Sequence, residues 1–393
     1  MARLRTATVS LLLALPLTAL SIEPTGHAAA GPDKAGRGLN SEIYQLSVTP
    51  KSTDAWALAF NYRPGSSSVG DVIRRYHHGT WSKERITGVP KTGVYLNGIA
   101  GATATTAWVA GDTYDTTTTT YHPLLARWKS GVFRRMPVPG FTHGRLIDIA
   151  ASSKRNAWLV GSPGDFTPNV AFRWNGHKWK DTKLPQSSAA EFGAASIATS
   201  GPKNTWIAEQ GNTSTVQHWN GSKWAEVRLP TEVVAESVAT TPTHTWVAGY
   251  RNGTTATPVV LRLAGSTWKS IKLKHLDGAT PGMFLGIGAS GSHAYAVGRT
   301  SLVGVGEAVA IAAVLHGKSG TAVRPISVPK YTALNDVAAS RKLVLAGGDY
   351  AKKGSCQSPF HSIAERFRHG EWSRVAIPKK LVPASKGGPV ACG

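Results

Sequence analysis

The chain has 393 residues, with 44 Lys and Arg against 22 Asp and Glu, a formal net charge of +22. An excess of this size implies affinity for polyanions. Two cysteines without a C-x-x-C spacing argue against redox catalysis, and no segment after residue 30 is long and apolar enough to span a bilayer.

Residues 1–30 read as an export signal. Arg3 and Arg5 form a basic start, an apolar run follows from Val9 to Leu20, and Ala28, Ala29 and Ala30 supply small residues for cleavage. No cysteine follows closely enough for lipid anchoring, so the mature chain is expected to be secreted and extracellular, with no transmembrane span. Its removal leaves 42 Lys and Arg against 21 Asp and Glu. Residues 31–42 form an N-terminal linker, and the composition, rich in Ala, Gly, Thr and Arg, suggests a bacterial source.

From residue 43 to 378 the chain repeats itself seven times, and all thirteen tryptophans fall at three positions of the repeat. Trp56, Trp108, Trp158, Trp206 and Trp246 follow a small polar turn, as in TDAW or RNAW. Trp128, Trp174 and Trp219 end an alternating apolar run. Trp81, Trp179, Trp224, Trp268 and Trp372 close the next turn, as in WNGHKW and WNGSKW. Upstream stands a column of branched residues among small ones: Val48, Ile99, Ile149, Ile197, Val238, Ile287 and Val337. Blade six carries Tyr295 and blade seven Val344 where the others carry the first tryptophan. Six copies end on proline, at Pro90, Pro139, Pro185, Pro230, Pro329 and Pro378.

Each copy parses as four short strands separated by turn residues, with no sustained helical period. Four strands per repeat of this length predict an all-β, seven-bladed propeller of four-stranded antiparallel blades. Blades crowd at the hub and spread at the rim. Ala, Gly and Ser on the first strand suit the hub, and indoles on the outer strands fill the widening gap. The series starts on a first strand and ends on a fourth, so no exchanged strand locks blade one to blade seven. The C-terminal tail 379–393 is expected to fasten the ring instead, through a disulfide between Cys356 and Cys392.

The turns WNGHKW, WNGSKW, LAGSTW, RHGEW and HHGTW resemble those of Asp-box propellers, and the W-x-G-x-x-W repeats of exported bacterial propellers in the wider WD40-like class. The resemblance covers residues 43–378 and implies a fold but no catalytic function. The Asp of the box is replaced by Asn175, Asn220 or Ala264. Sialidases with such boxes use F/Y-R-I-P; the nearest string here, Tyr62-Arg63-Pro64, lacks the Ile, and neither the acid nor the nucleophile pair can be placed. His77 and His78 are the one adjacent histidine pair and cannot alone supply three metal ligands. The expectation is a non-enzyme without cofactor or metal.

One basic residue recurs on the third strand, as Arg75, Arg127, Arg173, His218, Arg262 and Arg366. It could build repeated sugar pockets, as in propeller lectins or the sugar-targeting subunits of secreted assemblies. Alternatively it stacks on a neighbouring blade's indole or bonds its carbonyls. The absence of a recurring glutamate favours the structural role.

Charge gives the functional expectation. Turns after the first and third strands open on one face and carry Lys51, Lys129, Lys154, Arg155, Lys178, Lys203, Lys223, Lys318, Arg341, Lys342 and Arg368, with Asp54 and Glu371 the only acids. Turns after the second and fourth strands carry Asp71, Asp112, Asp115, Asp165, Glu191, Glu209, Glu232, Glu236, Asp277, Glu307 and Asp349. One face is therefore expected to be strongly basic and the other near balance. The basic face would dock on an extracellular polyanion (cell-wall polymer, acidic polysaccharide or anionic lipid). Longer opposite loops at 116–120, 161–169 and 347–361 would engage a protein or glycan. Nucleic acid is not an expected physiological partner.

Overall fold

The computed structural model describes residues 40–62, 70–164, 169–185, 193–210, 215–276, 280–300, 308–323, 331–351 and 360–378. Within these the chain forms strands and turns only, in seven antiparallel sheets that make a seven-bladed β-propeller. The first strand begins at Asn40, three residues ahead of the boundary the repeat suggested. Cys356, Cys392 and the tail 379–393 lie outside the described residues.

Every blade is a meander of consecutive strands. The innermost strands are Asn40–Val48, Val94–Thr103, Arg145–Ser153, Gly193–Gly201, Val233–Thr240, Gly282–Ser290 and Thr332–Ala339, and each packs beside the next. Blades two and six each gain a two-residue outer strand from the chain leaving the preceding blade. Ile86–Thr87 pairs parallel with Val132–Met136, and Leu273–Lys274 with Ser319–Ala322.

All thirteen tryptophans are buried, and they pass from blade to blade around the ring. The second-strand Trp56 meets Trp128 of the next blade at 5.0 Å between ring centroids, Trp108 meets Trp174 at 6.4 Å, and Trp158 meets Trp219 at 5.3 Å. Tyr295 continues the series onto Phe367 at 5.3 Å. These edge and tilted contacts suit the ring quadrupoles, and they fill the wedge between diverging sheets. In blade six Gly320 replaces the closing tryptophan, and Leu273 and Ile271 occupy the space.

Strand register corrects two columns. Leu46, not Val48, is the branched residue of blade one, because Leu46 pairs with Ala57 as Ile99 pairs with Val109. Leu345, not Val344, stands at the tryptophan position of blade seven, because it alone faces Arg366 across the pair.

The ring closes by packing and side-chain hydrogen bonds, without an exchanged strand among the described residues. Ile43 and Leu46 of blade one pack with Leu343 and Leu345 of blade seven. Asp336 Oδ2 accepts the Leu46 N–H at 2.7 Å, Asn335 Nδ2 donates to the Ile43 carbonyl at 3.1 Å, and Arg74 Nη1 donates to Ser362 Oγ at 3.1 Å.

Candidate functional site

The turns after first and third strands do share one face. Asn156 Nδ2 in the blade-three turn reaches Thr199 Oγ1 of blade four at 3.3 Å. Asn204 Nδ2 reaches the Thr241 carbonyl of blade five at 3.2 Å, and Ser340 Oγ of blade seven reaches the Ser52 carbonyl of blade one at 3.3 Å. Turn tips at three of the seven junctions are thus tied together, and the face they share is a collar of turns.

Local chemistry sets the cations on that collar. In the WNG turns, Asn175 Oδ1 accepts the N–H groups of His177 and Lys178 at 3.0 Å each. Asn220 Oδ1 does the same for Ser222 and Lys223 at 3.0 and 3.1 Å. Asparagine therefore does the work of the box aspartate by capping the hairpin. The following Gly176 and Gly221 have φ of 103° and 109°, conformations an L side chain rarely adopts. A Cβ on Gly221 would stand 2.8 Å from Lys203 Cγ, and one on Gly176 would stand 3.2 Å from Arg155 Cγ. The bare glycine leaves room for the aliphatic stem of a cation from the adjoining turn to lie across the hairpin, with its head toward water.

Lys51, Lys129, Lys154, Arg155, Lys178, Lys203, Lys223, Lys318, Arg341, Lys342 and Arg368 are all exposed. None of them forms an ion pair with a described acid, whereas the face's own Asp54 is buried. Arg75 Nη2 holds Asp54 Oδ2 at 3.5 Å and His77 Nδ1 meets Asp54 Oδ1 at 2.7 Å. His77 and His78 stack on each other at 3.9 Å.

The described acids expected to dress the opposite face are buried or half-buried. Asp112, Glu209 and Asp349 lie buried on strands, and Asp71, Asp115, Glu232 and Glu236 are half-buried. Asp112 binds Asn97 Nδ2 at 2.8 Å and Arg145 Nε at 3.2 Å, and Asp71 accepts the Leu96 N–H at 2.6 Å. Burial raises the Asp71 carboxyl to about 7 against the pull of that hydrogen bond. Asp115 caps the 116–120 turn through the Thr117 N–H at 2.8 Å. Asp165, Glu191, Asp277 and Glu307 lie outside the described residues. Among the described residues the basic face owes its sign to displayed cations, with Glu371 the exposed one of its two acids, and the acids expected opposite are buried or half-buried.

The recurring third-strand residue pairs across the sheet with the second-strand tryptophan of its own blade. Arg75 lies over Trp56 at 5.1 Å and Trp128 at 5.8 Å, and also donates to the Ala104 carbonyl of blade two at 3.0 Å. Arg127 lies over Trp108 and Trp174 at 5.6 and 5.4 Å, and Arg173 over Trp158 at 5.6 Å. His218 stacks on Trp206 at 4.0 Å with planes 12° apart, and burial lowers its basicity. Arg262 pairs with Trp246 and Arg366 with Leu345. Blade six has Val314 opposite Tyr295.

The sequence reading missed the residues that bridge neighbouring hub strands. Asp148 accepts the N–H of Ile149 at 2.7 Å and of Ile197 in the next blade at 2.9 Å. Asp336 likewise accepts Val337 and Leu46. Their signal was present, as an Asp directly before the branched column in DIAA and DVAA.

No protein-family model matches the chain, and no curated protein matches it. Among solved structures it is similar to the acylaminoacyl peptidase of Pyrococcus horikoshii, at 10% identity and TM-score 0.54, over 87% of this chain and 53% of that one. It is also similar to the β-propeller domain of the Trilobed protease from Pyrococcus furiosus, at 7% identity and TM-score 0.53, over 86% of this chain and 96% of that one. A third similar structure is YCF48 from Cyanidioschyzon merolae, at 13% identity and TM-score 0.50, over 81% of this chain and 94% of that one. At these identities the likeness is one of fold alone.

Proposed function

We propose that this protein is a secreted, non-catalytic binding module that docks through its collar face on an extracellular anionic polymer. The observation that carries the reading is the set of eleven exposed cations on one face, none paired with a described acid, while Asp54 is buried. Paired surface charges neutralise one another, so an unpaired array keeps its full field for a partner. Dispersed lysines suit a flexible polymer, which can meet many point charges without a fixed stereochemistry.

Sedimentation of the chain with purified cell-wall polymer, acidic polysaccharide and anionic vesicles at rising salt tests this. Binding through many cations displaces counterions, so affinity should fall steeply and linearly on a double-logarithmic plot against salt. Equal affinity at low and high salt, or equal capture by neutral polymers, would overturn the reading.

A further inference from the structure

The collar is not uniform, and a cleft lies at its most irregular junction. At the first three blade junctions a guanidinium fills the groove over the indoles, as Arg75, Arg127 and Arg173. At the fourth, His218 covers Trp206, and at the fifth His244 stacks on Trp246 at 5.3 Å, beside the Arg262 that pairs with that indole. At the sixth the chain places Val314 in the arginine column and Tyr295 in the tryptophan column. Both replacements are shorter. A cleft of about 610 Å³ opens there, between blades six and seven on the basic face.

Its lining combines two chemistries. Tyr295 and Phe367 present aromatic rings 5.3 Å apart and tilted by 58°. Arg341, Lys342 and Arg368 bring three of the unpaired cations to the same opening; Arg366 of blade seven also lines it, with His293 beside them. Tyr295 makes no hydrogen bond to a described residue, and burial raises its phenol, which stays a neutral donor at physiological pH. A volume of this size lies within the range of about 300–1,000 Å³ typical of small-ligand sites. Rings accept the apolar face of a pyranose, and the arginine forks match a carboxylate or phosphate.

We infer that the groove between blades six and seven binds one anionic sugar unit, its ring against Tyr295 and Phe367 and its charge against Arg341, Lys342 and Arg368. The inference rests on the reading of this face as an anion-docking surface and adds a single stereospecific pocket to it.

Titration calorimetry of the full chain at high salt, where polymer docking is weak, tests the pocket with a short uronate oligosaccharide, a hexose phosphate and a neutral oligosaccharide of equal length. One of the two anionic probes should bind with a stoichiometry of one, and which of them does so distinguishes the carboxylated from the phosphorylated source. Val314→Arg, which restores the column found in blades one to three, should lower that affinity about tenfold or more. Tyr295→Ala should do likewise, and thermal melts of both variants establish folding. Polymer docking at low salt should survive in both. The inference is overturned if neither anionic probe binds, if the neutral sugar binds equally well, or if folded Val314→Arg and Tyr295→Ala retain full affinity. Those results leave the salt-steep docking of polymer untouched, whereas its loss in the parent chain removes the broader reading.

Discussion

Asp336 and Leu46 are 290 positions apart in sequence, yet the carboxylate Oδ2 of the first accepts the backbone N–H of the second at 2.7 Å, across the seam between the last blade and the first. The other oxygen accepts the N–H of Val337 at 2.7 Å, so one side chain holds both hub strands. The same bridge recurs where Asp148 joins Ile149 and Ile197. The closing seam is built like an internal junction, which explains how a ring without an exchanged strand among its described residues can hold together.

Asp336→Ala should therefore destabilise the protein by about 2–4 kcal/mol, since two buried amides lose their acceptor. Native-state hydrogen exchange should locate the damage, accelerating in 40–62 and 331–351 while the third and fourth blades stay protected. Asp148→Ala should show the reverse distribution. A uniform change in exchange for both variants would argue against a seam held by Asp336.

Stability should fall as pH rises from about 4 to about 7. Burial raises Asp148, Asp71, Glu42 and Glu365 to about 7, and Asp336 and Asp349 to about 6. Between the unfolded and folded values the native state holds more protons than the unfolded chain, so the slope of stability against pH is negative. The contribution is complete below about pH 4 and gone above about 7. Thermal melts should show a higher Tm at pH 5 than at pH 8, by about 5 °C or more. Asp148→Asn and Asp336→Asn should flatten the dependence; an unchanged slope in both would remove these carboxyls as its source.

The blades were legible in sequence because an indole is too large to sit anywhere but the wedge between sheets, so its recurrence reports the architecture directly. Register was less legible. The first turn, from Thr49 to Asp54, sets Leu46 ten positions ahead of Trp56, whereas Ile99 stands nine ahead of Trp108, so a count of seven to nine back from Trp56 lands on Val48 instead. Asp148 and Asp336 were hidden because a polar residue at a crowded hub reads as tolerated rather than required until its two amide partners are seen. The displayed cations were readable from turn chemistry, but the fate of the acids was not. Asp112 and Glu209 sit near loops in sequence and yet turn inward on strands. The cleft between blades six and seven lies at the junction where Val314 pairs with Tyr295 in place of an arginine and a tryptophan, a coincidence visible only once register fixes the columns.

Arg127→Ala distinguishes a structural column from a ligand column. The guanidinium lies between Trp108 of its own blade and Trp174 of the next, where a partly desolvated cation–π contact contributes about 1–2 kcal/mol. Chemical denaturation should show a loss of that size, with polymer affinity at low salt unchanged. A large loss of affinity without loss of stability would return the column to the role of repeated sugar sites.

The docking face itself is tested by two variants with the same change in net charge. Lys129, Lys154, Lys178 and Lys223 lie on the collar, while Lys83, Lys180, Lys269 and Lys272 lie on or just after outer strands at the rim; all eight are exposed. Converting either set to glutamate should leave Tm nearly unchanged, because exposed substitutions away from structural contacts rarely exceed about 0.5 kcal/mol. If the collar binds the polymer, its variant should lose about tenfold or more in affinity at physiological salt and show a shallower salt dependence, each lost contact removing a counterion from the exchange. The rim variant should lose far less, through the long-range field alone, which screening confines to about 8 Å. Equal losses in the two variants would mean that net charge, not the face, governs binding.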